Sequence, residues 1–433
     1  MSRAETLVAD WTLTPDGLRR EAAVEVGPDG RIARAGPATG ENVRRLPGRL
    51  LLPGFVNVHS HAFQRGLRGA GERFPTGAGS FWTWREAMYA LVDSLDIGRF
   101  HDLTVTAFRE MRRAGMTAVG EFHYLHHSPA GEDFAFDKAV LAAARSVGIR
   151  LVLLQSYYRT GGIDRPLAGG QLRFRVPDVA TYWRGLDALE RALASDTQTL
   201  GIAPHSLRAA PPAEIAELAR GAHERRLPLH IHVEEQRQEI ADSVVRYGAP
   251  PMRVLLDELG ATQGMTAVHC THTTPGDLAR YLAGGGRVCL CPLTEGNLGD
   301  GHPELPPGAA VEGALCLGTD SNARISMLEE MRWLEYGQRL AGERRGALAD
   351  ASGELASVLL ACATAAGADA LGLPAGRIAP GAWADFATVD LAHPALASWT
   401  PETLLAALVT GCDDEVILET CVGGVWETHR RPS

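Results

Sequence analysis

The sequence predicts a (β/α)8 barrel carrying a small β-sandwich domain made from the two chain ends. Three observations predict it. Between residues 50 and 320, short apolar or β-branched runs alternate with longer amphipathic stretches. Residues 1–50 and 375–433 have another texture, short strand-like runs broken by Gly, Pro and Asp. Reactive side chains recur just past the ends of the central runs, where a barrel gathers its active site.

The central runs are LLPGFVNV (51–58), MTAVGEF (116–122), RLVLLQS (150–156), LGIAP (200–204), LPLHIHV (227–233), MTAVH (265–269), RVCLC (287–291) and ALCLGTD (314–320), eight in all. Connections such as AEIAELARGAHERR (213–226) and MRVLLDELG (252–260) repeat apolar residues at three- and four-residue spacing, the helical period. Eight alternating units in roughly 270 residues favour a closed barrel, here 51–374, over an open doubly wound sheet. No GxGxxG stands at a strand-to-helix turn, so nothing points to a dinucleotide site. At the ends, AAVEVGP, RIARAG, ADFATVD and EVILETCVGGVWE read as strands of one composite domain, 1–50 with 375–433, whose halves meet across the barrel. Residues 69–80, GAGERFPTGAGS, read as a Gly-rich loop.

Composition narrows the functional classes. With 433 residues and 45% hydrophobic side chains, the chain can bury a large core. A net charge of −10, from 42 basic and 52 acidic residues, argues against a nucleic-acid-binding surface. The start, MSRAETLVADWTLTPDG, lacks a basic stretch followed by an apolar one, and no membrane-spanning run occurs, so a cytoplasmic protein without a membrane partner is expected. All seven cysteines fall between Cys270 and Cys421, and Cys289 and Cys291 sit too close along a strand to pair, which suits a reducing compartment. A thiolate metal site at this CxC lacks the second cysteine pair such sites use. Lys138 is the only lysine.

His59 and His61 follow the first run; a strand turns its side chains over every second residue, so both point the same way, as two ligands of one ion must. Glu121, His123 and Tyr124 follow the second run, His205 and Arg208 the fourth, His232 and Glu235 the fifth, His269 the sixth and Asp320 the eighth. Three imidazoles and a carboxylate, His59, His61, His232 and Asp320, suit a borderline divalent ion and leave a position for water. In HIHVEE, Glu235 stands three residues beyond His232, where it can reach an activated water without ligating the ion, the geometry of a proton shuttle. His230 is expected to be a hydrogen-bonded core residue, Glu234 to face away from the lumen, and His123, His126 and His127 to support the loop after the second strand.

With PGFVNVHSH, HIHVEE, AVHCTH and GTDS in this order, the chain resembles the amidohydrolase superfamily, whose members fold as metal-dependent hydrolase barrels. AFQRGLRG, SFWTWREAMY, GEFHYLHH, GIAPHSLRA, CPLTEGNLGDG and LEYGQRL further resemble its N-formimino-L-glutamate deiminase branch, of histidine degradation. The resemblance implies one divalent ion, Zn²⁺ with Fe²⁺ as the other candidate, on His59, His61, His232 and Asp320; catalysis by Glu235, His269 and Asp320; and contacts from Gln64, Arg85, Tyr124, His205 and Arg208 to a small dianion. Binuclear members commonly bridge two ions with a lysine on the fourth strand, and GIAPHS has none. A homodimer is expected, as is common on this fold. The competing readings are a deaminase of a purine or similar ring, which calls for an aromatic and amide-lined pocket, and a metal-free binding protein on the same fold, which the full ligand set argues against.

Overall fold

A computed structural model describes residues 4–37, 43–72, 79–129, 131, 133–260, 262–311 and 313–429. Its strands fall into two sheets of eight. One comes from the chain ends: β1 (Glu5–Thr14), β2 (Gly17–Arg20), β3 (Ala23–Val26), β4 (Ile32–Gly36) and β5 (Val43–Pro53), with β14 (Phe386–Asp390), β15 (Ile417–Val422) and β16 (Val425–Thr428). The other is the barrel: β6 (Phe55–Ser60), β7 (Met116–His123), β8 (Arg150–Tyr157), β9 (Gln198–Pro204), β10 (Leu229–Val233), β11 (Met265–His269), β12 (Arg287–Leu290) and β13 (Leu315–Leu317).

The barrel strands pair in chain order and in parallel. Six of them are buried along their whole length, because helices cover the outer face and side chains fill the lumen, which is why they read as continuous apolar runs. First and last strands meet through a parallel bridge between Ser60 and Asp320. The amides of Thr319 and Asp320 donate to His59 O at 3.0 and 2.9 Å, and His61 N–H donates to Asp320 O at 2.9 Å. Gly318 permits this approach, since a Cβ there would lie 2.7 Å from His59 Cβ.

The run at 51–58 is divided between the two sheets. Residues up to Pro53 complete β5 and those from Phe55 form β6. Gly54 is the joint: its N–H donates to Asp385 O at 2.9 Å, and a Cβ there would sit 2.1 Å from Thr117 Oγ1. In the end sheet, β5 runs parallel to β1 and antiparallel to β14, so the two termini meet on either side of it. This sheet keeps a core of its own around Leu7, Val24, Leu46, Leu51 and Phe386. Arg150, at the start of β8, ties it to the barrel through a two-pronged ion pair with Asp385, at 2.7 and 3.0 Å, both side chains only 1% exposed. The C-terminal stretch is not all strand: the helix Leu404–Gly411 packs on the barrel helices Met327–Gly342 and Ala356–Ala363.

Lys138 lies exposed on the helix Ala135–Val147, outside the lumen. All seven cysteines are free and buried. No helix among the described residues is long and apolar enough to cross a membrane. Part of the Gly-rich loop, 73–78, lies outside the described residues.

Candidate active site

The carboxyl ends of the barrel strands bring the sequence candidates together. His59 Nε2 lies 3.2 Å from His232 Nε2, and Asp320 Oδ1 lies 3.3 Å from His59 Nε2 and 3.4 Å from His61 Nε2. Four donors at ~2.0–2.1 Å from a tetrahedral ion stand roughly 3.3 Å apart, so these spacings fit one ion. The ring orientations agree. His61 Nδ1 donates to Phe122 O at 2.7 Å and His232 Nδ1 to His205 O at 2.9 Å, which turns both Nε2 lone pairs inward. Burial pushes His59 down to about 3 and lowers His61 and His232 too, keeping the imidazoles neutral and able to ligate. Burial opposes the charge on Asp320, but the hydrogen bond from His59 and the neighbouring imidazoles outweigh it and hold the carboxylate ionised.

The backbone here is strained: Glu234, His269 and Asp320 take left-handed conformations, with φ of 53°, 73° and 44°. The Asp320 turn is clamped by Asn322, whose side chain donates to Asp320 O at 3.0 Å and Ser60 Oγ at 3.1 Å and accepts from Thr319 Oγ1 at 2.7 Å. The bond to Ser60 ties this turn to the first strand.

Every predicted site residue except His59 lines one pocket at the barrel mouth, and His59 is buried among the ligands beneath it. Glu235 and His269 face each other there, Oε1 to Nε2 at 3.9 Å, and Asp320 Oδ2 is also 3.9 Å from that nitrogen. Burial alone would lower His269, but Glu235, Glu295 and Asp320 around it raise it. Gln64 donates to Tyr124 OH at 2.7 Å, leaving its own Oε1 without a partner. Arg85 reaches Tyr158 OH at 3.5 Å, and Arg208 donates to Glu235 Oε2 at 3.2 Å.

Other sequence candidates fall outside the pocket. His126 is buried between Asp137, at 3.0 Å, and Ser156 O, at 2.8 Å; His127 hydrogen-bonds Arg175 O at 2.7 Å. His123 faces Asp137 at 3.6 Å. His230 bonds Ala370 O at 3.0 Å in the core, and Glu234 accepts the Met252 N–H at 2.8 Å. Cys291 approaches His269 and Asp320, and burial pushes its thiol well up.

Sequence reasoning missed two groups. Glu295, 1% exposed, accepts from His269 Nδ1 at 3.2 Å and from Cys291 N–H at 3.0 Å. It sits in the first turn of the helix Pro292–Leu298, which follows β12, so its place past a strand end was a usable signal. The pocket walls are also more aromatic than expected, with Phe81, Trp84, Tyr89, Tyr158 and Phe174.

A parallel barrel with three neutral imidazoles and a carboxylate converging at its mouth has the architecture of a metal-dependent hydrolase. The chain belongs to the amidohydrolase family, whose model matches residues 50–426. It is 37% identical over 428 residues to formimidoylglutamate deiminase of Pseudomonas aeruginosa, covering 97% of this chain and 94% of that one. It is 29% identical over 422 residues to a 5-methylthioadenosine/S-adenosylhomocysteine deaminase of Natronomonas pharaonis, covering 95% and 89%. Among solved structures, an amidohydrolase from Brucella melitensis superposes with a TM-score of 0.89 at 31% identity over 98% of this chain and 94% of that one.

Proposed function

We propose that the protein is a formimidoylglutamate deiminase, converting N-formimino-L-glutamate and water to N-formyl-L-glutamate and ammonia in histidine degradation. One observation carries the reading: two arginines, Arg85 and Arg208, share the pocket with the ligand cluster, in a chain 37% identical to an enzyme of that name. A small dianion needs two such anchors, and the guanidinium fork suits planar carboxylates.

His59, His61, His232 and Asp320 would hold the ion, zinc in this reading. A divalent ion there supplies Lewis acidity, bringing a water's ionisation toward neutral pH. Glu235 accepts a proton as the water oxygen adds to the formimino carbon. His269, oriented by Glu295, stabilises charge on the adduct. Glu235 then delivers its proton to the terminal nitrogen, that C–N bond breaks, and the oxygen remains as the formyl carbonyl; both protons of the water leave in ammonia. Gln64, Tyr124 and His205 line the approach and orient the amidine.

The aromatic walls favour a second reading, deamination of a purine-like ring, in keeping with the name of the Natronomonas relative. One assay separates the two. Zinc-loaded protein is given N-formimino-L-glutamate and, separately, 5-methylthioadenosine, with ammonia and organic products identified. Turnover of the nucleoside without turnover of the amidine would reverse the assignment. In the same reading the enzyme is cytoplasmic and dimeric, which light scattering of the purified protein checks for its dimeric part.

A further inference from the structure

Arg208 is where the two tasks of the pocket meet. Its guanidinium lies between two carboxylates four residues apart: Nη2 is 3.2 Å from Glu235 Oε2, and Nε is 3.9 Å from Glu239 Oε1, on the first turn of the helix Arg237–Tyr247. The side chains are 12%, 7% and 0% exposed. Among the described residues, neither Glu239 oxygen has a hydrogen-bond donor, nor has Arg208 Nε an acceptor. One buried cation therefore already faces two acids before a substrate carboxylate arrives.

A third carboxylate cannot simply be added. The edge of the guanidinium given to Glu235 is unavailable for a two-pronged grip on substrate, and a third carboxylate would crowd the two that already face this cation. One acid must give way. Glu239 is fixed in a helix and, among the described residues, has no other cation within ion-pair distance. Glu235 stands in the turn just past the left-handed Glu234, and His269 is a second partner at 3.9 Å.

Taking Arg208 as a substrate anchor and Glu235 as the proton shuttle, we propose that an arriving substrate carboxylate displaces Glu235 from Arg208 while Glu239 keeps Arg208 at the pocket wall. The shuttle is thus released only when a carboxylate is seated. Substrate capture and proton transfer become one event, and an amidine lacking that carboxylate leaves Glu235 held by the arginine. Glu239 is a positioning residue, acting through Arg208.

Exchange and plain anchoring predict opposite signs in one experiment. Wild type and Arg208→Met, both with measured ion content, are compared on N-formimino-L-glutamate and on two compounds that each lack one carboxylate, N-formimino-4-aminobutyrate and N-formimino-L-2-aminobutyrate. Exchange predicts that Arg208→Met loses kcat/KM on the dianion yet gains about threefold or more in kcat on one of the truncated compounds, because Glu235 is no longer held. If kcat on both truncated compounds is unchanged or lower in the variant, the exchange is wrong. Glu239→Gln gives a readout apart from turnover: calorimetric binding of the product N-formyl-L-glutamate should weaken by about five- to tenfold with ion content unchanged, and unaltered binding removes Glu239 from the proposal. Failure of ion-loaded wild type to release ammonia from N-formimino-L-glutamate would instead strike at the function from which the inference starts.

Discussion

Replacing Asp385 with alanine should destabilise the protein strongly without touching its ion. Asp385 accepts from Arg150 Nε at 2.7 Å and Nη2 at 3.0 Å, and from Gly423 N–H at 2.7 Å. The arginine is also stacked over Trp383 at 4.2 Å, with both charged side chains 1% exposed. Removing the carboxylate strands a buried guanidinium, which typically costs ~3–5 kcal/mol, and orphans an amide, which adds ~1 kcal/mol or more. The expected loss, about 4–6 kcal/mol, is a large share of the ~5–15 kcal/mol by which folded chains are usually stable. Urea unfolding followed by far-ultraviolet circular dichroism measures it. The Arg150→Met/Asp385→Ala double variant should recover part of the loss, since the stranded cation is gone. Arg150 stands at the amino end of β8, away from the mouth, so ion content should hold. A single-variant loss below ~1 kcal/mol, or a double variant less stable than the single, would refute the account of this contact.

A fully loaded preparation should carry one divalent ion per chain, and His232→Ala and Asp320→Ala should each lose ion and activity together; elemental analysis finding two ions, or full occupancy in either variant, contradicts the ligand set. Glu235→Gln should keep its ion and lose about 10²–10⁴-fold in kcat, the usual worth of general acid–base help, and wild-type turnover would assign the shuttle elsewhere. Arg208→Met should lower kcat/KM for the dianion more than Arg85→Met, because Arg208 is braced by Glu235 and Glu239 whereas Arg85 meets Tyr158 OH at 3.5 Å; steady-state kinetics with the order reversed would point to Arg85 as the main anchor. Glu121 supplies a pH dependence. Burial pushes its carboxyl up to about 8, against the Ala62 N–H that would lower it, so the folded chain binds a proton that the unfolded chain has released. Stability should therefore fall as pH rises from the ordinary carboxyl range toward 8. Glu121→Gln should flatten that fall, with a ceiling of about 5 kcal/mol at ~1.36 kcal/mol per unit; parallel stability–pH curves for the two proteins would dismiss it.

The sequence displayed the barrel and most of the site because both follow local rules. A strand buried on both faces must be apolar throughout, and a ligand at its carboxyl end must interrupt that run with a polar residue, so His59, His232, His269 and Asp320 stand out. Where tertiary packing decides, sequence was a poorer guide. The run at 51–58 reads as one strand although it serves two sheets, and only the Pro53-Gly54 pair marks the change. Nothing in the spacing around Glu239 singles it out, yet it is buried, facing Arg208 at 3.9 Å. The helix Leu404–Gly411 lies among strand-like segments, and its apolar sequence carries no sign that it docks on the barrel.

The seam between β6 and β13 has a consequence for assembly. His59 and Asp320, proposed ligands from opposite ends of the barrel sequence, make with their own backbones the hydrogen bonds that shut the ring. The ligand constellation therefore exists only once the last strand has docked against the first. An intermediate missing that strand would present just three of the four donors, His59 and His61 at the edge strand β6 and His232 on β10 in the interior of the sheet. Chemical competence is thus tied to topological completion: the centre comes into being when the circle closes.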